Sequence, residues 1–231
     1  MQIHGFQKLT LLDYPGHLAA TIFLGGCNMR CPFCQNASLV LNPQTQQTLP
    51  SKEVLAALEK RRNVLEGICI SGGEPTLYPE LPDLVGKIKS LGYKVKLDTN
   101  GTNPAMIKLL VQEELIDYIA MDIKNSKEKY SLTCGLPDID LKPVEESVRF
   151  LMTSPADYEF RTTVVKELHS EEDMLSIGKW LQGARAYYLQ SYLDSGDILA
   201  PGLKSPSKET LLKYVKLLAP YIAKVSLRGV D

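Results

Sequence analysis

Short apolar, β-branched runs alternate with stretches of helical period along this chain, and no other feature limits its possible folds as strongly. The runs cover residues 20–24, 68–70, 93–97, 118–123, 158–165 and 186–189. Each has the length of a strand rather than a helix. Between them, Leu81, Leu84, Val85, Ile88 and Leu91 fall on one helical stripe, and Gly92 is placed to cap its C-terminus. A second helix is predicted from Asn103 as N-cap and Pro104 in the first turn, with Ile107, Leu110 and Val111 facing inward. Near the end, Ser205-Pro206 is predicted to open a helix whose stripe is Leu211, Leu212, Val215 and Leu218.

Strand and helix in alternation predict an α/β fold, a parallel sheet covered by helices, either open and doubly wound or curled into a partial barrel. A closed eight-unit barrel takes about 250 residues. Six strand-helix units are countable in these 231 residues, so a closed barrel is not expected. Both remaining architectures bind ligands at the C-terminal ends of the strands. With no repeat, low-complexity tract or linker, a single domain over 1–231 is expected. It comprises an N-terminal extension (1–17), a core (18–200), and a C-terminal helix with a last strand at 224–227 (201–231).

A chain of this size buries roughly two-thirds of its unfolded surface and needs no disulfide staples. Its five cysteines therefore require another explanation, and three of them crowd into residues 27–34. That pattern reads as metal or redox chemistry in a reducing compartment. The segment Cys27-Asn28-Met29-Arg30-Cys31-Pro32-Phe33-Cys34 follows the first strand and Gly25-Gly26. Three thiolates this close can surround one inorganic centre, either an iron-sulfur cluster or zinc, and both usually take four ligands. No fourth cysteine is near: Cys69 falls in an apolar strand as a small buried hydrophobe, and Cys134 in a loop. Three ligands leave a coordination position open to a substrate or cofactor. The alternative is zinc completed by His4 or His17, though neither has paired ligand spacing. His169 reads as a surface residue.

Other strand ends also carry candidates. Ser71-Gly72-Gly73-Glu74-Pro75 follows the second strand, where glycines permit close backbone approach and proline ends pairing; alone, it reads as a tight turn. Asp98-Thr99-Asn100-Gly101 and Asp122-Ile123-Lys124 place charges at buried strand ends, which is costly unless they are paired or bound to ligand; ordinary caps and turns are the other reading. Arg161 interrupts the apolar strand Phe160-Arg161-Thr162-Thr163-Val164 and needs an anion, either a structural carboxylate or a ligand's. Gln190 closes the sixth strand. The charged residues of 52–62 and 127–129 read as solvated faces. A net charge of -1 and pI near 6.3 provide no field for a phosphate backbone, so nucleic-acid binding is not expected. No apolar run nears the roughly 18 residues of a membrane span, and residues 1–15 lack the order of a signal peptide. A cytoplasmic protein is expected.

The cysteine triad and the later motifs resemble the radical S-adenosylmethionine (SAM) superfamily. Within it, Asp13-Tyr14-Pro15-Gly16 and the run Phe23-Leu24-Gly25-Gly26 leading through the triad to Gln35-Asn36 resemble the glycyl-radical-enzyme activases. The resemblance is nearest to those that serve anaerobic ribonucleoside-triphosphate reductase. It implies an incomplete (β/α)6 TIM-type barrel, and a 4Fe-4S cluster on Cys27, Cys31 and Cys34 whose fourth iron is chelated by SAM. It further implies that Gly72, Gly73 and Glu74 meet the methionyl ammonium, that the Phe33 backbone meets the adenine, and that Lys124 pairs with the SAM carboxylate, a role open to Arg161 too. Asp98 and Asp122 would serve the ribose or a monovalent cation, Thr99 and Asn100 lie in the same SAM-contacting segment, and Gln190 would meet the adenosine.

The implied activity is reductive cleavage of SAM to a 5′-deoxyadenosyl radical that takes a glycine Cα hydrogen from a partner enzyme. The partner is a glycyl radical enzyme, expected to be anaerobic ribonucleoside-triphosphate reductase, with Asp13 contacting it and flavodoxin or ferredoxin as electron donor. No further cysteine lies between Cys34 and Cys69, as in short activases with one cluster, whereas Tyr14 replaces the glycine common at its position. Two alternatives remain: a radical SAM enzyme with a small-molecule substrate, and a non-catalytic iron-sulfur or zinc module.

Overall fold

Residues 2–229 are described by a computed structural model. Their strands are β1 (Ile3–Thr10), β2 (Ala19–Leu24), β3 (Gly67–Gly72), β4 (Lys94–Thr99), β5 (Tyr118–Asp122), β6 (Asp157–Val164), β7 (Tyr187–Ser191) and β8 (Val225–Arg228), ordered β1 to β8 in one sheet. The helices are α1 (Ala37–Leu41), α2 (Ser51–Glu59), α3 (Leu81–Ser90), α4 (Pro104–Gln112), α5 (Tyr130–Cys134), α6 (Lys142–Thr153), α7 (Glu171–Trp180) and α8 (Lys208–Leu218). All six strands expected from the apolar runs form, with ends moved by at most two residues. The chain divides into two compact units, one of residues up to Asn28, Ser38–Ala120 and Ser154–Asp157, the other of Met29–Ala37, Met121–Thr153 and Tyr158 onward.

In the first unit β2, β3 and β4 run parallel, with Cys69 beside both Thr21 and Lys96. Ala20, Ile22, Leu24, Ile68, Ile70, Val95 and Leu97 are fully buried, as strands covered on both faces must be. Helix α3 buries the anticipated Leu81, Leu84, Val85 and Ile88, and Gly92 follows it at φ +90°, the left-handed conformation that ends a helix at little cost to glycine. Asn103 caps α4 by accepting from the Met106 N–H, with Pro104 in the first turn. Strand β1 was not anticipated. It pairs antiparallel with β2 through two register shifts and leaves Gln7, Lys8 and Leu9 exposed, so it has no apolar alternation to betray it.

The second unit is built on parallel β6, β7 and β8. Phe160, Val164, Tyr187 and Leu189 form its core, and α7 starts at a reciprocal capping box of Ser170 and Asp173. Helix α8 is capped by Ser207, not Ser205: the Ser207 hydroxyl accepts from the Thr210 N–H, while that of Ser205 is turned to the Tyr192 carbonyl. The last strand forms one residue later than expected; 230 and 231 of the expected C-terminal segment lie outside the described residues.

Strand β8 brings Arg228 into a two-pronged ion pair with Glu159, at 2.5 and 2.8 Å, and 3.8 Å over the Tyr188 ring centre. Glu159 is fully buried, so removing Arg228 takes two charge-assisted bonds from a carboxylate in the interior. Arg228→Ala is expected to lower unfolding free energy by about 3–5 kcal/mol in urea titrations, with part regained in the Glu159→Gln, Arg228→Met pair. An Arg228→Ala loss below about 1 kcal/mol would count against this role.

Candidate functional site

In the second unit, the segment from Met29 to Ala37 has little regular structure, and backbone groups from elsewhere in the chain hold it. The Arg30 N–H donates to the Cys134 carbonyl at 2.8 Å, the Ala200 N–H to that of Pro32 at 2.9 Å, and the Ala37 N–H to that of Asp197 at 3.3 Å. The Gln35 amide reaches the Leu193 carbonyl at 2.6 Å. Cys31 and Phe33 are buried within this segment, and Cys34 is half-buried. Cys134 is not in a loop: it ends α5, buried, with its thiol donating to the Ser131 carbonyl and its own carbonyl anchoring Arg30. Gly135 follows at φ +70°, and a Cβ there would lie 2.0 Å from the Arg30 carbonyl oxygen. No composition or spacing signal marks Gly135 in the sequence.

At the end of β5, the Asp122 carboxylate accepts from Arg161 Nε at 2.9 Å and from Lys124 Nζ at 3.1 Å. Arg161 thus has a structural carboxylate. Burial works against the charge on Lys124, but Asp122 and then Cys31 oppose it, and its ammonium is held well above the ordinary lysine range. Burial pushes the Cys34 thiol up, whereas its hydrogen bond with the Asn36 backbone and the charge on Lys124 bring it down. A lysine held cationic beside thiols favours their thiolate form. Gln190 lies in β7 beside Thr163 and Arg228. The cations of 127–129 are less simply solvated than expected: Lys127 pairs with Glu145 and lies over Trp180, and Lys129 pairs with Asp173.

His169 is buried rather than on the surface. Its Nδ1 accepts from the Val165 N–H and its Nε2 donates to the Lys124 carbonyl at 2.9 Å, so the ring is neutral and fixes the backbone at Lys124. Burial holds its pKa below the ordinary histidine value. An unfolded chain therefore takes up a proton below about pH 6.5 that the folded one refuses, and stability falls as pH drops from there toward the folded pKa. Urea unfolding between pH 7.5 and 5 should show a steeper acid loss for the wild type than for His169→Gln; equal slopes would refute the assignment.

In the first unit, the end of β2 and the segment after β3 are locked backbone to backbone. The Gly73 N–H donates to the Leu24 carbonyl and the Glu74 N–H to that of Gly26, both at 2.8 Å. A Cβ on Gly72 would come within 2.2 Å of the Leu24 oxygen, and one on Gly73 within 1.9 Å of the Gly26 oxygen. Both glycines are thus demanded by the protein's own backbone. Glu74 is 1% exposed, and its carboxylate accepts from the Thr76 N–H and hydroxyl, the Thr99 hydroxyl and the Asn100 N–H. Burial raises its pKa, and those four bonds oppose the rise. Asp98 pairs with Lys96 and accepts from the Ser71 hydroxyl at 3.0 Å. Lys96 is itself buried with Nζ 3.7 Å from the Cys69 sulfur, a residue the sequence reading passed over although a lysine in an apolar strand is the same signal as Arg161. The Asn100 side chain reaches Asn28 and Cys27.

Both histidines offered for zinc are engaged elsewhere. His4 accepts from the Gly25 N–H through Nδ1 and donates to the Pro43 carbonyl through Nε2, while His17 meets Glu66 and packs edge-on against Tyr14. Among the described residues, no three His, Cys, Asp or Glu side chains gather as a ligand set for a single metal ion. Tyr14 is buried against Gly67, where a Cβ would meet its ring at 2.7 Å, and Asp13 accepts from the Thr21 hydroxyl at 2.5 Å.

The model of the Radical SAM superfamily matches residues 21–176. The chain belongs to the radical SAM superfamily. Over 235 aligned residues it is 32% identical to a protein of Methanocaldococcus jannaschii provisionally named a glycyl-radical enzyme activating enzyme, covering 99% of this chain and 96% of that one. It is 26% identical to a 7-carboxy-7-deazaguanine synthase of Methanopyrus kandleri over 77% of this chain and 74% of that one. Among solved structures, Streptococcus suis SuiB bound to precursor peptide SuiA superposes with a TM-score of 0.72 at 16% identity, over 91% of this chain and 48% of SuiB. The chain therefore spans about half of that protein. The likeness agrees with the α/β fold expected from the strand-helix alternation, and is consistent with the incomplete barrel that the family resemblance implies.

This radical SAM enzyme is expected by its family to use a 4Fe-4S cluster and SAM. Its donors fit: soft thiols suit an iron-sulfur centre, a lysine is held cationic near two of them, and the segment carrying those two is clamped by backbone bonds. No helix of the described residues is long and apolar enough to cross a membrane.

Proposed function

We propose that this radical SAM enzyme places a glycyl radical in a partner enzyme, with anaerobic ribonucleoside-triphosphate reductase the expected partner. The observation that supports this reading is the similarity, over 99% of this chain and 96% of the other, to a relative provisionally named a glycyl-radical enzyme activating enzyme. Cys27, Cys31 and Cys34 would hold the cluster, with one iron left for SAM. When bound, the reduced cluster and SAM supply a 5′-deoxyadenosyl radical able to remove a hydrogen atom from a glycine Cα. The chain's own residues hold and shield that chemistry. Gly72 and Gly73 present backbone groups to the methionyl end beside the charge of Glu74. Lys124 offers its cation to the SAM carboxylate, with Arg161 behind it on Asp122. Phe33 and Gln190 would meet the adenosine, Thr99 and Asn100 would contact SAM in the segment that carries Asp98, and Asp98 and Asp122 would serve the ribose or a monovalent cation. The electron would come from a flavodoxin or ferredoxin, in a cytoplasmic setting.

The test begins with anaerobic reconstitution, metal analysis, and chromatography for 5′-deoxyadenosine after dithionite and SAM are added. A colourless zinc protein without cleavage would overturn the reading. A mixture with candidate glycyl radical enzymes should then develop a glycine-centred doublet in electron paramagnetic resonance. Similarity to 7-carboxy-7-deazaguanine synthase supports a second reading, a small-molecule substrate. Cleavage without a doublet for any partner would favour it.

A further inference from the structure

Asn100 is held so that its amide can point only one way. Its Oδ1 accepts from both the backbone N–H and the hydroxyl of Thr102, at 3.0 and 2.7 Å. Those bonds fix which end of the amide is oxygen, an assignment that must otherwise be inferred. The Nδ2 group therefore faces the other way, donating to Asn28 Oδ1 at 2.8 Å and to the sulfur of Cys27 at 3.8 Å. Asn28 closes the ring by donating to the Thr102 hydroxyl at 2.9 Å. The Asn100 backbone N–H is bound by Glu74, so the side chain springs from a fixed point and is 5% exposed.

From this geometry we propose that Asn100 is a positioning residue for the cluster: it orients Cys27 and raises the cluster's reduction potential by donating an N–H···S hydrogen bond to that thiolate. The inference rests on the reading that Cys27 is a cluster ligand. Reduction adds negative charge to a cluster and its sulfurs, so a donor on a ligand sulfur favours the reduced form. The bond also restricts rotation of the Cys27 side chain. Thr102 acts one step further out, by keeping the amide from flipping.

The test is a redox titration of the reconstituted cluster, without SAM, followed by electron paramagnetic resonance and by iron and sulfide analysis. Asn100→Asp keeps the shape and the acceptor but loses the donor; its cluster should titrate at a more negative potential with iron content near wild type. Thr102→Val, which keeps the backbone N–H bond to Asn100 Oδ1 but removes the hydroxyl bond, should shift the same way by less. Wild-type potentials in both variants overturn the inference while leaving the cluster assignment standing. If Asn100→Asp takes up no iron, Thr102→Val decides alone, and an unchanged potential there overturns the inference. A wild-type protein that takes up no cluster overturns the underlying reading.

Discussion

Cys31→Ala protein is expected to emerge from anaerobic reconstitution with almost no cluster: colourless, with iron and sulfide a small fraction of wild type, and no 5′-deoxyadenosine from SAM. Three thiolates are the minimum donor set on which the proposed site rests, and no other cysteine is near in sequence to replace one. Two controls make the result specific. Cys69 is buried in β3 against Lys96, and Cys134 is buried at the end of α5 with its thiol turned to Ser131. Cys69→Ala and Cys134→Ala should keep full iron and lose about 1 kcal/mol of stability in packing. Cluster loss in Cys69→Ala equal to that in Cys31→Ala would overturn the ligand assignment.

Gly135→Ala is expected to cost nearly as much cluster without touching a thiol. The residue sits at φ +70°, which costs a side-chain-bearing residue about 1–2 kcal/mol. More damaging, the added Cβ would stand 2.0 Å from the Arg30 carbonyl oxygen, where no flexible side chain can yield. The backbone between Cys27 and Cys31 must move, and the bond from the Arg30 N–H to the Cys134 carbonyl goes with it. Gly202→Ala separates the two effects: its φ is +89° but nothing lies within 4 Å of the new Cβ. It should show the conformational cost alone, with iron retained. Iron uptake by Gly135→Ala equal to that of Gly202→Ala would show that the clasp does not matter.

The strands and the better helices were legible because burial writes itself into residue order. An apolar run or a stripe at helical spacing has one economical use, and the segments around Ile22, Ile68 and Leu84 were read accordingly. Strand β1 was missed for the complementary reason, since an edge strand half open to water needs no apolar pattern. His169 was misplaced because a histidine satisfied by two backbone groups can be buried without any apolar signature of its own. The helix expected to open at Ser205 is capped by Ser207 instead, because the Ser205 hydroxyl is taken by the Tyr192 carbonyl, which only the fold brings near. The family was legible from the triad and its companion segments, since ligand spacing is a local property.

By itself, then, the sequence determined the strand-helix alternation, the triad, and the motifs at strand ends, because local spacing and burial periodicity depend on neighbours along the chain. The tertiary structure decided the pairings: Arg161 with Asp122, Asp98 with Lys96, Glu74 with Thr76, Thr99 and Asn100, and Gly135 under Arg30. Each but the bond from Glu74 to Thr76 joins residues distant in sequence or chooses one carboxylate among many. A charge or glycine announces only that it needs a partner or space, and which one it receives is settled when folding brings the strands side by side.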